Sequence, residues 1–255
     1  MLSFVDWLQD VDRRQSDIPD TERIPTVLAL GELAVVYQPI VDMQNKTVFA
    51  HEALVRSNSP HYQGPPALFT EAIRTQLCGA LGRAVRELAV GNAPDTPLFV
   101  NIHPNEFDEG WLVRPDDPIF SHEQGVYLEI TESVPLTHFT LCHSQLAEVR
   151  SRGALLAVDD LGAGYSNLKY ISDLSPEVVK LDRGLIVNLT KDSRQHTLVS
   201  SLVRLCEDLG ATVIAEGIES RDEARAVADT GAHYGQGFFF AKPSYPPPPI
   251  CTDGI

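Results

Sequence analysis

Residues 178–215, VVKLDRGLIVNLTKDSRQHTLVSSLVRLCEDLGATVIA, hold two short apolar runs separated by an amphipathic segment. Val178–Leu181 and Val213–Ala215 carry the β-branched composition of buried strands. Between them Leu198, Leu202, Leu205 and Leu209 recur at spacings of four, three and four, and Gly210 follows as the expected helix stop. Strand, helix and strand in that order imply two parallel strands joined by a crossover helix.

The same alternation extends in both directions. Further strand-like runs stand at Ala34–Tyr37, Thr47–Ala53, Leu98–Asn101, Val126–Ile130, Leu155–Val158 and Phe238–Phe240. A second helix opens at Ser220 with Glu223 three residues on, a capping-box pattern. About eight strands in one chain of this length point to a (β/α) barrel rather than an open sheet. The first two runs are joined only by Val41–Lys46, too short for a crossover, so they are expected to form an antiparallel hairpin.

Bulk properties narrow the function. The chain has 255 residues, 43% of them hydrophobic, which suffices for one sizeable core. A formal charge of −15 argues against binding a DNA or RNA polymer, although a small phosphate ligand remains open where a cation inverts the local field. No stretch approaches the roughly 20 apolar residues of a membrane span, and the amino terminus has no basic region followed by an apolar run. Cys78, Cys142, Cys206 and Cys251 show no metal spacing. A cytoplasmic location with no membrane association is the expectation. Residues 1–30 read as an amphipathic lead-in helix with Phe4, Trp7, Leu8 and Val11 on one face, residues 31–245 as the barrel, and residues 246–255 as a proline-rich tail.

In a barrel the reactive groups stand at the carboxyl ends of the strands. The runs deliver Glu52, Asn101, Glu129, the pair Asp159-Asp160, Lys180 and Glu216 there, with Glu132, Asp182 and Glu219 close behind. Carboxylates gathered at low dielectric repel one another unless cations share the site. Oxygen ligands without histidine or cysteine suit Mg²⁺ or Mn²⁺ rather than zinc. The adjacent acids suggest two ions, which at roughly 3.5–4 Å apart form a common device for phosphoester cleavage. The glycines of Leu161-Gly162-Ala163-Gly164-Tyr165-Ser166-Asn167 would let backbone approach a phosphate. His51, beside Glu52, belongs to the opposite strand face and reads as structural.

These residues lie in blocks that resemble the EAL-domain family of cyclic di-GMP phosphodiesterases. The naming triplet is Glu52-Ala53-Leu54 within HEALVR, and YQPIVD, VNIHP, LEITES, VDDLGAGYSN, VKLD, AEGIES and GQGFFFAKP occur in the family's order. The resemblance implies an α/β fold, a modified TIM (β/α) barrel with an antiparallel first strand. It implies that Glu52, Asn101, Glu129 and Asp159 bind one metal and that Asp159, Asp160 and Glu216 bind a second. Lys180 resembles the lysine holding the attacking water, with Glu216 helping to activate it, and Glu132 the acid anchoring the glycine loop. Gln38, Leu54, Arg56, Glu219 and Gln236 resemble substrate contacts. Leu161, Ser166-Asn167 and the segment between Arg56 and Phe69 depart from the family's usual residues.

The implied reaction is metal-dependent hydrolysis of cyclic di-GMP to linear pGpG, and the alternative is a catalytically weak domain that acts as a cyclic di-GMP receptor. Regulation through a homodimer or a protein partner is left open by the same resemblance.

Overall fold

The computed structural model describes residues 31–58, 62, 64–131, 139–163 and 168–253. The lead-in helix expected over residues 1–30, Glu132, and Gly164–Asn167 of the glycine loop lie outside the described residues.

Eight strands close into one barrel in sequence order. They are β1 (Leu33–Asp42), β2 (Thr47–Ser57), β3 (Leu98–Asn101), β4 (Val126–Thr131), β5 (Leu155–Leu161), β6 (Val178–Leu181), β7 (Thr212–Ala215) and β8 (Tyr234–Gly235). β1 runs antiparallel to both β2 and β8, and every other pair is parallel. The hairpin follows from its turn. Asp42 accepts hydrogen bonds from the Gln44 and Asn45 backbone nitrogens at 2.9 and 2.7 Å, reversing the chain within four residues. β2 then continues past Glu52 to Ser57, so Glu52 stands inside a strand rather than at its end.

The helices surround the barrel: α1 (Pro65–Arg74), α2 (Cys78–Gly91), α3 (Glu106–Glu109), α4 (Phe139–Ser151), α5 (Leu168–Leu174), α6 (Arg183–Ile186), α7 (Arg194–Asp208) and α8 (Arg221–Thr230). α8 opens with the expected capping box of Ser220 and Glu223. The most buried residues of α7 are not its spaced leucines. Val199, Val203 and Cys206 point inward, whereas Leu198 and Leu209 are 49% and 44% exposed. The two stripes are neighbours on the helix, about 100° apart, and the compact β-branched one lies against the barrel.

The last strand is also displaced from expectation. The run Phe238–Phe240 has strand-like composition, but β8 is Tyr234–Gly235. Gly237 forces the change. A Cβ there would lie 2.1 Å from the Ile218 carbonyl oxygen. The backbone therefore crosses close to the β7–α8 loop, Phe240 N bonding back to Gly237 O, and the three phenylalanines form a turn.

Inside the barrel, one residue from each strand builds an apolar floor: Ile40, Ala50, Phe99, Tyr127, Ala157, Val178, Ile214 and Tyr234, with Phe49 beside them. Phe99 and Tyr127 stack at 4.3 Å, and Phe49 and Tyr234 at 4.0 Å. This floor is separate from the larger core between strands and helices. Because strand side chains alternate, the residue two positions nearer the mouth faces inward as well. That next layer decides the chemistry.

Candidate active site

Two residues above the floor stand Gln38, Glu52, Asn101, Glu129, Asp159, Lys180, Glu216 and Gln236, one from each strand or its immediate end. For the antiparallel β1 the step toward the mouth is backward, from Ile40 to Gln38. A polar ring thus rests on an apolar disc, and every member was among the sequence-derived site residues.

Lys180 is the hub. Its ammonium is buried and lies 2.5 Å from Glu129 Oε1, 2.5 Å from Glu216 Oε1, 3.3 Å from Asp159 Oδ1 and 3.7 Å from Glu52 Oε2. Burial opposes its charge, but Asp159, Glu129, Glu216 and Glu52 together hold its pKa well above that of a free lysine. Glu52 is steered from two sides. Asn101 Nδ2 donates to its Oε1 at 3.0 Å and Gln236 Nε2 to its Oε2 at 2.6 Å. Burial works against its ionisation, yet Lys180 and these amides hold it below the usual carboxylate range. Because Asn101 uses its nitrogen on Glu52, its carbonyl oxygen is left for another partner.

The remaining acids are less well compensated. Burial and the charge of Glu52 push Glu129 well above the usual range, and burial does the same to Glu216. Asp159 is raised by burial and by Glu52, although Lys180 opposes the shift. Asp160 is pushed up to about 8 by burial and by its neighbour Asp159. Among the described residues, both Glu129 carboxylate oxygens and Asp159 Oδ1 are buried without a partner in hydrogen-bond geometry, despite the nearby ammonium.

Asp159 and Asp160 serve one site because β5 is irregular. Consecutive strand residues point to opposite faces. Here the pairing with β6 slips between Val158 and Leu161, and Asp160 takes a left-handed φ of 61°. Asp tolerates that conformation better than most residues, and the bulge turns both carboxylates to the mouth. Ligand atoms of Asp159, Asp160 and Glu216 lie within 4.8 Å of one another.

The donor set fits hard divalent cations. Five carboxyls (Glu52, Glu129, Asp159, Asp160 and Glu216) share one ammonium, several of their oxygens have no partner in hydrogen-bond geometry among the described residues, and all donors are oxygen. Lys180 alone cannot neutralise them.

Other sequence-derived residues sit further out. Leu54 is half-buried two residues above Glu52 on the mouth side of β2. Arg56 is half-buried, which lowers its pKa although Glu52 opposes the shift, and it donates to the Val55 carbonyl at 2.8 Å. Glu219 is exposed and paired with Arg183 at 3.0 Å rather than turned into the acid ring. His51 is structural as expected, 2.8 Å from Thr96 Oγ1. Sequence reasoning passed over Thr131. Its hydroxyl is buried two residues above Glu129 without a hydrogen-bond partner among the described residues, and the period-2 spacing within LEITES would have marked it.

Comparisons with known proteins agree with this fold. The EAL domain family model matches residues 21–243. The chain is 31% identical over 225 residues to the cyclic di-GMP phosphodiesterase PA2567 of Pseudomonas aeruginosa, covering 83% of this chain and 38% of that protein. Its fold matches the PaMucR phosphodiesterase in complex with c-di-GMP, with a TM-score of 0.73 and 28% identity over 84% of this chain and 97% of that one. It also matches BlrP1 of Klebsiella pneumoniae in a manganese/c-di-GMP complex, with a TM-score of 0.71 and 28% identity over 89% of this chain and 58% of that one. The chain spans about a third of the length of the first curated relatives it matches.

Proposed function

The chain belongs to the EAL domain family, and from that premise we propose that it hydrolyses cyclic di-GMP to linear pGpG with the help of divalent cations. The observation that carries the reading is the closed layer with four carboxyls around one buried lysine at the barrel mouth, and Asp160 beside Asp159 and Glu216 as a fifth.

Glu52, Asn101, Glu129 and Asp159 would hold one Mg²⁺ or Mn²⁺, and Asp159, Asp160 and Glu216 a second. Five negative charges less the one positive charge of Lys180 leave four, the charge of two divalent ions. When bound, such ions supply Lewis acidity toward the phosphate and acidify a water near neutral pH.

The chain's own groups do the rest. Lys180 would hold the attacking water through its ammonium protons, and Glu216, 2.5 Å from that ammonium, would take the water's proton. The water oxygen bonds to phosphorus, the bond to the 3′ oxygen breaks, and that oxygen recovers a proton, leaving a 5′-phosphate on the linear product. Arg56 would offer paired donors to the phosphate. Leu54, Gln38, Gln236 and Glu219 would border the nucleotide, with Glu219 exchanging its present partner Arg183 for it. Glu132 would anchor the glycine loop. The apolar floor closes the barrel below and limits bulk water to the mouth.

With a net charge of −15, a small cyclic dinucleotide neutralised by cations suits the site better than a nucleic-acid polymer. Among the described residues no helix is long and apolar enough to cross a membrane. Buried cysteines at 78 and 206 fit a reducing cytoplasm.

The test is direct. Purified protein is incubated with cyclic di-GMP and either Mg²⁺ or Mn²⁺ at mildly alkaline pH, and products are separated by chromatography. Conversion to pGpG is expected, with none in EDTA and none for Glu52→Ala. Stoichiometric binding without product would replace the enzyme reading with that of a receptor.

A further inference from the structure

A chain of hydrogen bonds runs from the C-terminal segment to Glu52 through two buried amides. Gln236 Nε2, which donates to Glu52 Oε2 at 2.6 Å, also donates to Gln38 Oε1 at 3.3 Å. Gln38 Nε2 donates in turn to the backbone carbonyl of Ala241 at 3.2 Å. Gln38 and Gln236 are 7% and 3% exposed.

Both ends of this chain only accept: one is a carboxylate, the other a peptide carbonyl. Gln236 must therefore turn its NH₂ to Glu52. Gln38 must present oxygen to Gln236 and nitrogen to Ala241. Reversing either amide would bring oxygen against oxygen, so each has one orientation. The arrangement holds although it leaves Gln236 Oε1 buried without a partner among the described residues.

The far end is itself anchored. β8 has two residues and meets β1 only at Val41 and Asp42. Further along β1, Tyr37 exchanges two backbone hydrogen bonds with Ser244, at 2.9 and 3.1 Å. Cys251 N bonds to Phe240 O at 2.9 Å, and Ala241 N to Gly237 O at 3.2 Å. The segment after β8 thus fills the seam the short strand leaves, and Ala241 O is a fixed point.

We propose that Ala241, Gln38 and Gln236 form a positioning relay for Glu52, setting the rotation of its carboxylate so that cation affinity depends on Gln38. The proposal takes Glu52 as a metal ligand and rests on that reading. It gives Gln38 and Gln236 a duty that exists before any nucleotide arrives.

Mn²⁺ binding to the metal-free protein is measured by titration calorimetry without nucleotide. The unaltered protein, Gln38→Met, Gln236→Met, the double variant and Glu52→Ala are compared, each checked by circular dichroism. Gln38→Met is expected to weaken Mn²⁺ binding about tenfold, at the lower end of the roughly 10–100-fold range for groups that orient metal ligands. The double variant should bind no more weakly than Gln236→Met alone, because a relay breaks once. Unchanged Mn²⁺ affinity in folded Gln38→Met overturns the relay, as do additive losses or a raised KM for cyclic di-GMP at unaltered Mn²⁺ affinity. Failure of the unaltered protein to bind Mn²⁺ is a separate outcome that overturns the metal reading itself. Where a variant does not fold, the side-chain amide protons of Gln38 and Gln236 in the unaltered protein decide by NMR. Slow solvent exchange is expected, and exchange as fast as that of exposed glutamines overturns the relay.

Discussion

Lys180 competes for the same oxygens that would hold a cation. Its ammonium lies 2.5 Å from both Glu129 and Glu216, where an ion coordinated by those carboxylates would need their lone pairs. A lysine that only balanced charge would be dispensable once divalent cations entered. A lysine that positions the attacking water would not. Lys180→Met separates the two. We expect kcat to fall by about 10²–10⁴-fold, the usual scale for a lost proton-transfer or water-positioning group, while Mn²⁺ affinity is undiminished because a competitor has been removed. Single-turnover kinetics at saturating Mn²⁺, with calorimetry for the metal, reads both. A variant that keeps full kcat leaves Lys180 with a purely structural part.

At the scale of the element, α7 and β5 show where sequence patterns hold and where packing overrides them. The leucine spacing at 198, 202, 205 and 209 marked α7 but did not single out its most buried residues, Val199, Val203 and Cys206, because an adjacent stripe on the helix is apolar as well and Leu202 packs only partly buried against the core. The difference is measurable. Val203→Ala should cost about 2 kcal/mol, the lower range for emptying a packed site, whereas Leu198→Ala, at 49% exposure, should stay within about 0.5 kcal/mol. Urea unfolding of the two variants checks the assignment, and equal losses would contradict it. The site was more legible than the helix face. Glu52, Asn101, Glu129, Lys180 and Glu216 obey a period of two from strand to rim, so parity alone brings them together. Parity cannot supply Asp159 and Asp160 at once, since that needs the bulge and the φ of 61° at Asp160, which nothing in the sequence around them announces. Phe238–Phe240 misled for a related reason. Composition describes a side chain's preference, while the close backbone approach at Gly237 determines where the strand ends.

For the whole molecule, the acid ring couples stability to pH and to cations. In the metal-free protein Glu129, Asp159 and Glu216 are held above the ordinary carboxyl range, chiefly by burial, and Asp160 is pushed up to about 8. An unfolded carboxyl has a pKa near 4. Between the two values the folded state keeps protons that the unfolded chain has released, so stability falls as pH rises. Glu52, held low, reaches its full contribution well below neutrality. His51 and His103, both lowered by burial and the latter to about 4, are neutral in the fold, and the unfolded imidazoles lose their remaining protons just above pH 7, a small rise that opposes the fall there. Cys206, its thiol pushed up to about 11 by burial, adds a fall of the same sign as pH nears the free thiol's value, so over the window from about pH 7 to 8.5 the site is read as the part of the fall that the cation removes. In EDTA, Tm should drop across it. With saturating Mn²⁺ the drop should shrink or reverse, because the cation replaces protons that must leave for it to bind. Differential scanning calorimetry at constant ionic strength makes the comparison. A metal-free Tm that stays level or climbs over this interval would mean that the carboxyls are already ionised and compensated without metal, and the charge argument for two divalent ions would lose its basis.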